Sequence, residues 1–177
     1  MNPEGIPEQL GWIFGRRSVR AYGPGAIGDD QVEILLRAAM AAPSAVAKDP
    51  WRFVVVRDRS LLARLAGNLS NGSMLDQAPL GIVVAGDMYA AHDRQLSYLL
   101  QDCAAAIENL LLSAHGLGLG ACWLGIHPRQ HRIDFVTNLL CLPEAVIPVA
   151  CIALGQPAET KEPRSRFNPA WVHRDRW

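Results

Sequence analysis

The residues best suited to chemistry in this sequence are arginines. Arg16, Arg17 and Arg20 flank Ser18, and Arg164 and Arg166 stand near the C-terminus. A guanidinium fork matches phosphate oxygens bidentately and a hydroxyl adds a donor, so clusters brought together by folding would form an anion site. Kept apart, they are a solvated face. Other constellations carry less. Gly116-x-Gly118-x-Gly120 has the glycine spacing of a dinucleotide fingerprint, but it follows a helical segment and precedes a strand, the reverse of that fingerprint's setting. Ser44 lacks the Gly-x-Ser-x-Gly elbow of a serine hydrolase. His127 and His131 straddle Pro128 with no acid or cysteine to complete a metal set, and with His92, His115 and His173 they read as structural or surface residues.

The stretch from Asp93 to Gly125 is the centre around which these residues must be arranged. Leu99, Leu100, Cys103, Ala106, Ile107, Leu110, Leu111 and Ala114 leave little polar face, so the spacing predicts a helix of about 22 residues, roughly 33 Å long. Such a helix is buried on nearly all sides, at the core of one subunit or shared between two. Asp102 and Glu108 exclude a membrane span. Gly116 is expected to end the helix in a left-handed conformation, and Leu119 to Leu124 to follow as a buried strand.

Before this centre, the pattern predicts a short helix over 8–15 that delivers the first arginine cluster. A helix opened by Gly28-Asp29-Asp30 follows, with Val32, Leu35, Leu36 and Ala39 in one stripe, stopped by Pro43. Trp51 to Val56 and Leu80 to Ala85 read as strands, and Asp58 as the cap of a helix over 59–66. After the centre come a helix over 129–140, with Ile133, Val136 and Leu140 inward, and a strand over 146–154 made irregular by Pro148. Three or four strands and five helices without strict alternation predict an α+β layered fold in one domain spanning 1–177. Residues 156–177 form an extended arm, and Phe167, Trp171 and Trp177 call for something to pack on, a partner subunit being the natural candidate.

Seventeen Lys and Arg balance seventeen Asp and Glu, which argues against a general nucleic-acid or anionic-membrane role. The start of the sequence shows no secretory signal, and a cytoplasmic location is expected. Cys103, Cys122, Cys141 and Cys151 form no Cys-x-x-Cys pair and read as reduced core thiols.

In order and spacing these pieces resemble the FMN-dependent nitroreductase family along almost the whole chain. The matching residues are Arg16-Arg17-Ser18-Val19-Arg20-x-Tyr22, Ala42-Pro43-Ser44, Pro50-Trp51-Arg52-Phe53, Asp102-x-x-Ala105-Ala106-Ile107-Glu108-Asn109, Gly116 to Gly120, Cys122-Trp123-Leu124-Gly125, Leu142-Pro143 and Ala153-Leu154-Gly155-x-Pro157-Ala158-Glu159. The resemblance implies a three-layer α-β-α sandwich with a mixed, mainly antiparallel sheet, in an intertwined homodimer with FMN at the interface. It implies that Arg16, Arg17, Ser18 and Arg20 hold the phosphate and ribityl end, closed by Arg164 and Arg166. Pro43, Ser44 and Ala45 would line the ring, partly from the second subunit, and a backbone N–H of Trp123-Leu124-Gly125 would meet flavin N5.

One departure stands out. Family members carry Asn-x-Gln-Pro-Trp where this chain has Ala47-Lys48-Asp49-Pro50-Trp51, so the amides that meet the flavin's pyrimidine edge are missing, and Lys48 is a candidate substitute donor. The implied activity is transfer of hydride from NAD(P)H through flavin N5 to a nitroaromatic, quinone or similar acceptor in two alternating half-reactions, with no protein nucleophile required. The rival readings are specialised flavin chemistry such as reductive dehalogenation or flavin fragmentation, a non-catalytic flavin-binding protein, and a dimeric structural domain without ligand.

Overall fold

The computed structural model describes residues 7–162 and 166–177. Five α-helices and five strands are present among them: α1 Gly11–Gly15, β1 Tyr22–Gly23, α2 Asp29–Met40, β2 Trp51–Val56, α3 Arg59–Asn68, β3 Leu80–Asp87, α4 Leu96–Gly116, β4 Gly120–Gly125, α5 Gln130–Leu140 and β5 Val146–Pro157. The strand that the pattern missed is β1. Two residues are too short for periodicity to show, and β1 exists only because Tyr22 and Gly23 pair with Pro157 and Gln156 at the end of β5.

β5 lies at the middle of the sheet, with β3 and then β2 on one side and β4 also paired to it. Every ladder is antiparallel. The single parallel contact among the described residues is an isolated bridge from Ser18 to Ala121. Pro148 makes the irregularity expected of it: Val84 pairs with Ala150 and Ala85 with Pro148, so Val149 is the extra residue of a bulge.

Alternation along the strands sorts side chains into two cores, one on each face. Trp51, Leu80, Ile82, Val84, Ala150, Ile152 and Leu154 pack with α2 and α4. Val56, Val83, Cys122, Leu124, Cys151 and Ala153 pack with α3 and α5. The architecture is therefore three layers. Local signals position the flanking helices: Asp58 accepts from the Leu61 N–H at 2.8 Å to cap α3, and the Gln31 side chain accepts the Gly28 N–H at 3.1 Å ahead of α2.

The centre departs from expectation in three ways. Residues 92–94 form a separate 3₁₀ turn, so α4 begins at Leu96 and has 21 residues. Gly116 stays helical, and the left-handed residue is Gly118 (φ +73°), where a side chain would be strained. Finally, α4 buries a broad stripe from Leu99 through Ala114 and leaves Leu100, Ala104, Ala105 and Leu112 half-buried. The single chain covers one face of this helix rather than nearly all of it.

Three cysteines are buried as expected, but Cys141 is exposed because it forms the left-handed C-terminal residue after α5 (φ 52°). Burial pushes the Cys103 and Cys151 thiols up to about 12, far from reactive thiolate character. The C-terminal arm is fixed to the chain as far as Lys161, whereas its aromatic end is exposed. Trp171 and Trp177 are 73 % and 99 % exposed, and at the other end of the chain Trp12, Ile13 and Phe14 are exposed too. No helix among the described residues is long and apolar enough to cross a membrane.

Candidate cofactor site

The first arginine cluster lies on a segment locked between β4 and the end of β5. The Val19 N–H donates to the Ala121 carbonyl at 3.0 Å, and the Ala158 N–H to the Ala21 carbonyl at 2.9 Å. The buried Tyr22 hydroxyl reaches the carbonyls of Val19 (2.8 Å) and Ala153 (3.1 Å). Gly120 makes room for this packing, since a Cβ there would lie 2.7 Å from Val19 Cγ1. Two residues beyond β5 complete the clamp. Glu159 accepts the Arg20 N–H at 2.5 Å, and Lys161 donates to the Ser18 carbonyl at 2.8 Å while pairing with Glu159 at 3.0 Å. The Arg20 N–H, and then Lys161, hold the Glu159 carboxyl below its usual value.

This clamp sends the arginines to different surroundings. Arg16 faces α4, with its Nε 3.4 Å from Glu108. Arg17 lines a cleft of about 260 Å³ with His115, Glu159 and Lys161. Arg20 lines a smaller cavity of about 190 Å³, where it meets Trp123, Leu124 and Gly125. Ser18 is held by its backbone in the bridge to Ala121. Arg166 is described and exposed, whereas Arg164 lies outside the described residues.

The Arg20 cavity contains residues that sequence patterns did not single out. Ser70 and Asn71 line it from the loop after α3, and Arg132 from the first turn of α5. Arg132 donates to the Gly125 carbonyl at 2.8 Å and to Ser70 Oγ at 2.7 Å, so it ties the end of β4 to that loop. No acid among the described residues lines the cavity. Among the described residues no carboxylate pairs with Arg20 or Arg132. Only the tertiary meeting of three separate segments reveals this cationic wall. In the sequence the one trace of Arg132 is a basic residue in the first turn of a helix, where the dipole disfavours a cation.

Pro43, Ser44, Ala45 and Ala47 line neither cleft within the chain. Their loop is built differently. The buried Asp102 of α4 accepts the Ala45 N–H at 2.9 Å through Oδ1, and its Oδ2 has no partner among the described residues. The Ser44 hydroxyl donates to Asp49 Oδ1 at 2.5 Å and accepts the Asp49 N–H at 3.0 Å. Asp49, at the position of the family's glutamine, thus closes the loop on itself. Val46, Ala47 and Asp49 all have positive φ (52°, 51° and 49°), a conformation that costs a non-glycine residue about 1 to 3 kcal/mol. Val46 is 70 % exposed. Lys48 lines a groove of about 440 Å³ with Val46, Tyr89, His92 and Arg94, away from the Trp123 turn of its own chain.

Comparison with known proteins matches this arrangement to one family. The profile of the Nitroreductase family fits residues 13–72 and 66–156. A protein of Archaeoglobus fulgidus, provisionally named NADH dehydrogenase/NAD(P)H nitroreductase, is 41 % identical over 97 % of this chain and 100 % of its own length. A crystal structure from Parabacteroides distasonis with the same provisional name superposes with a TM-score of 0.91 at 35 % identity, covering 97 % of this chain and 100 % of that one. A Desulfovibrio desulfuricans structure, provisionally named a nitroreductase and solved in complex with FMN, has a TM-score of 0.83 at 32 % identity, covering 97 % and 99 %. The chain belongs to the nitroreductase family.

Proposed function

We propose that this protein is an FMN-dependent oxidoreductase that accepts electrons from NAD(P)H and delivers them to a nitroaromatic, quinone or similar small acceptor in alternating half-reactions, as a homodimer with FMN at the interface. The observation that carries the reading is the acid-free cavity where Arg20 meets the Trp123-Leu124-Gly125 turn. A ring bound there would have guanidinium donors at its electron-rich edge, and at Gly125 no side chain would hinder close approach to the backbone. When bound, FMN supplies two-electron redox chemistry that no side chain of this site can supply.

The chain's own residues bind and orient. Arg17 and Lys161 offer cations for a phosphate group in the neighbouring cleft, with Arg166 and Arg164 assigned to the same end by the family pattern. The Glu159 and Lys161 clamp holds the Ser18 to Arg20 backbone in place. Arg16 enters the phosphate site only if it leaves Glu108. The separation of the 43–47 loop from the Arg20 cavity supports a ring lined by two subunits. The half-buried flank of α4 and the exposed aromatics of both ends supply apolar surface for that dimer.

The visible spectrum of the purified protein, before and after anaerobic NADH or NADPH, tests the proposal. The expected result is a flavin spectrum that bleaches and returns when an acceptor is added. Flavin that stays oxidised under both nucleotides overturns the oxidoreductase reading in favour of a flavin-binding protein, and no spectrum after incubation with FMN overturns the cofactor itself.

A further inference from the structure

Resting on the FMN reading above, we propose that Arg132 is the second cation of the cofactor cavity. Together with Arg20, which its place beside the Trp123 turn moves from the phosphate end implied by the resemblance to the ring end, it holds the pyrimidine edge of the flavin that the family's missing Asn and Gln would otherwise hold, and it thereby raises the midpoint potential. Three observations lead here. First, Arg20 and Arg132 line one cavity of about 190 Å³ with Asn71 and the Trp123-Leu124-Gly125 turn, and among the described residues no carboxylate lies there to balance the two charges. Two guanidiniums lining one small cavity make it a favourable place for an anionic or electron-rich guest. The volume suits one polar edge of a ring rather than a whole dinucleotide.

Second, Arg132 has donors to spare. Its bonds to Gly125 and Ser70 use two of five N–H groups, and its Nε, which has no partner among the described residues, is sealed off inside the protein. The remaining Nη hydrogens are the ones an acceptor brought by a ligand would use. Third, the 47–49 segment that replaces those amides offers the ring little. Ala47 has no polar side chain, Asp49 is engaged with Ser44, and Lys48 lines the groove beside Tyr89 and Arg94.

The chemistry follows from charge. Reduction adds negative charge to the pyrimidine edge, so a fixed cation there favours the reduced over the oxidised cofactor. Removing it should weaken the hold on reduced FMN about tenfold more than on oxidised FMN, which for a two-electron couple lowers the midpoint by about 30 mV.

The test measures FMN dissociation constants and anaerobic midpoint potentials for the wild type, Arg132→Met, Arg132→Lys, Ser70→Ala and Lys48→Ala. Arg132→Met should bind FMN more weakly and show the lowered midpoint, with Arg132→Lys recovering most of both. Ser70→Ala, which breaks the brace but keeps the charge, should retain the wild-type midpoint, as should Lys48→Ala. An Arg132→Met protein with bound FMN and an unchanged midpoint overturns the proposal, as does a drop confined to Lys48→Ala. Should Arg132→Met fail to fold, Arg132→Gln keeps donors without charge, and a wild-type midpoint there overturns the proposal equally. A wild type that binds no FMN overturns the cofactor reading instead, and is told apart by the absence of any flavin signal before a variant is compared.

Discussion

The two regions that flank the proposed cofactor are built on opposite principles. The Arg16 to Arg20 segment is extended, clamped to β4 and to the residues after β5 by backbone bonds, and seated on a buried tyrosine. The Ser44 to Asp49 loop hangs from one buried carboxylate, and three of its residues sit in the left-handed region. The first is a rigid wall that can hold fixed charges in one geometry, as electrostatic preorganisation requires. In the second, strain is kept at an exposed tip, a feature that concentrates at binding sites. Cations meant to stay put therefore belong on braced segments, Arg20 on this wall and Arg132 on α5 with its bonds to Gly125 and Ser70, rather than on the loop that carries Lys48.

The largest effect should come from breaking the wall. Gly120→Ala places a Cβ 2.7 Å from Val19 Cγ1 and 3.3 Å from the Tyr22 ring, and overpacking of that kind destabilises by about 1 to 3 kcal/mol. Urea unfolding should show the loss, and FMN titration a weaker cofactor, because the Val19 displacement carries Arg20 with it. Tyr22→Phe is a gentler cut at the same place. It leaves the carbonyls of Val19 and Ala153 without the hydroxyl and should cost about 1 kcal/mol in the same unfolding assay.

The loop should respond with the opposite sign. Val46→Gly removes a β-branched residue from φ 52° at a site that is 70 % exposed, and should raise stability by about 0.5 to 1 kcal/mol after the entropy of the unfolded glycine is counted. If thermal unfolding shows Val46→Gly to be destabilising, the loop is not strained and the contrast between the two regions fails. The smallest effect is a titration. Glu159 has a depressed value in the folded state, so its contribution is fully present above the ordinary carboxylate range and is lost as pH falls through that depressed value. Amide signals of Arg20 and Ala21 should shift only in that acid window, and Glu159→Gln should abolish the shift.

Much of the scaffold was legible because it rests on local physics. The strand over Trp51 to Val56, the Asp58 cap and the bulge at Pro148 each follow from a residue's own conformational limits. The helix over 129–140 was read almost to its ends, yet nothing in its pattern distinguished Arg132 from a solvated arginine. The site arginines were found as a group, and their dispersal among Glu108, the His115 cleft and the Trp123 turn was not visible. Neighbouring residues on an extended segment point to opposite sides, and what waits on each side comes from distant parts of the chain. Gly116 was assigned the left-handed role that Gly118 takes, an offset of the kind expected at helix ends.

By itself the sequence determined the family, the layered α+β class and every α-helix and strand except β1, because periodicity, capping and turn chemistry are encoded over a few residues at a time. Only the tertiary structure decided which cations face an acid-free cavity, that Asp49 locks onto Ser44, and that Gly120 must be bare for Val19 to seat. Those outcomes depend on long-range packing between α5, the loop after α3 and the sheet, where close-packed side chains settle each position against its neighbours.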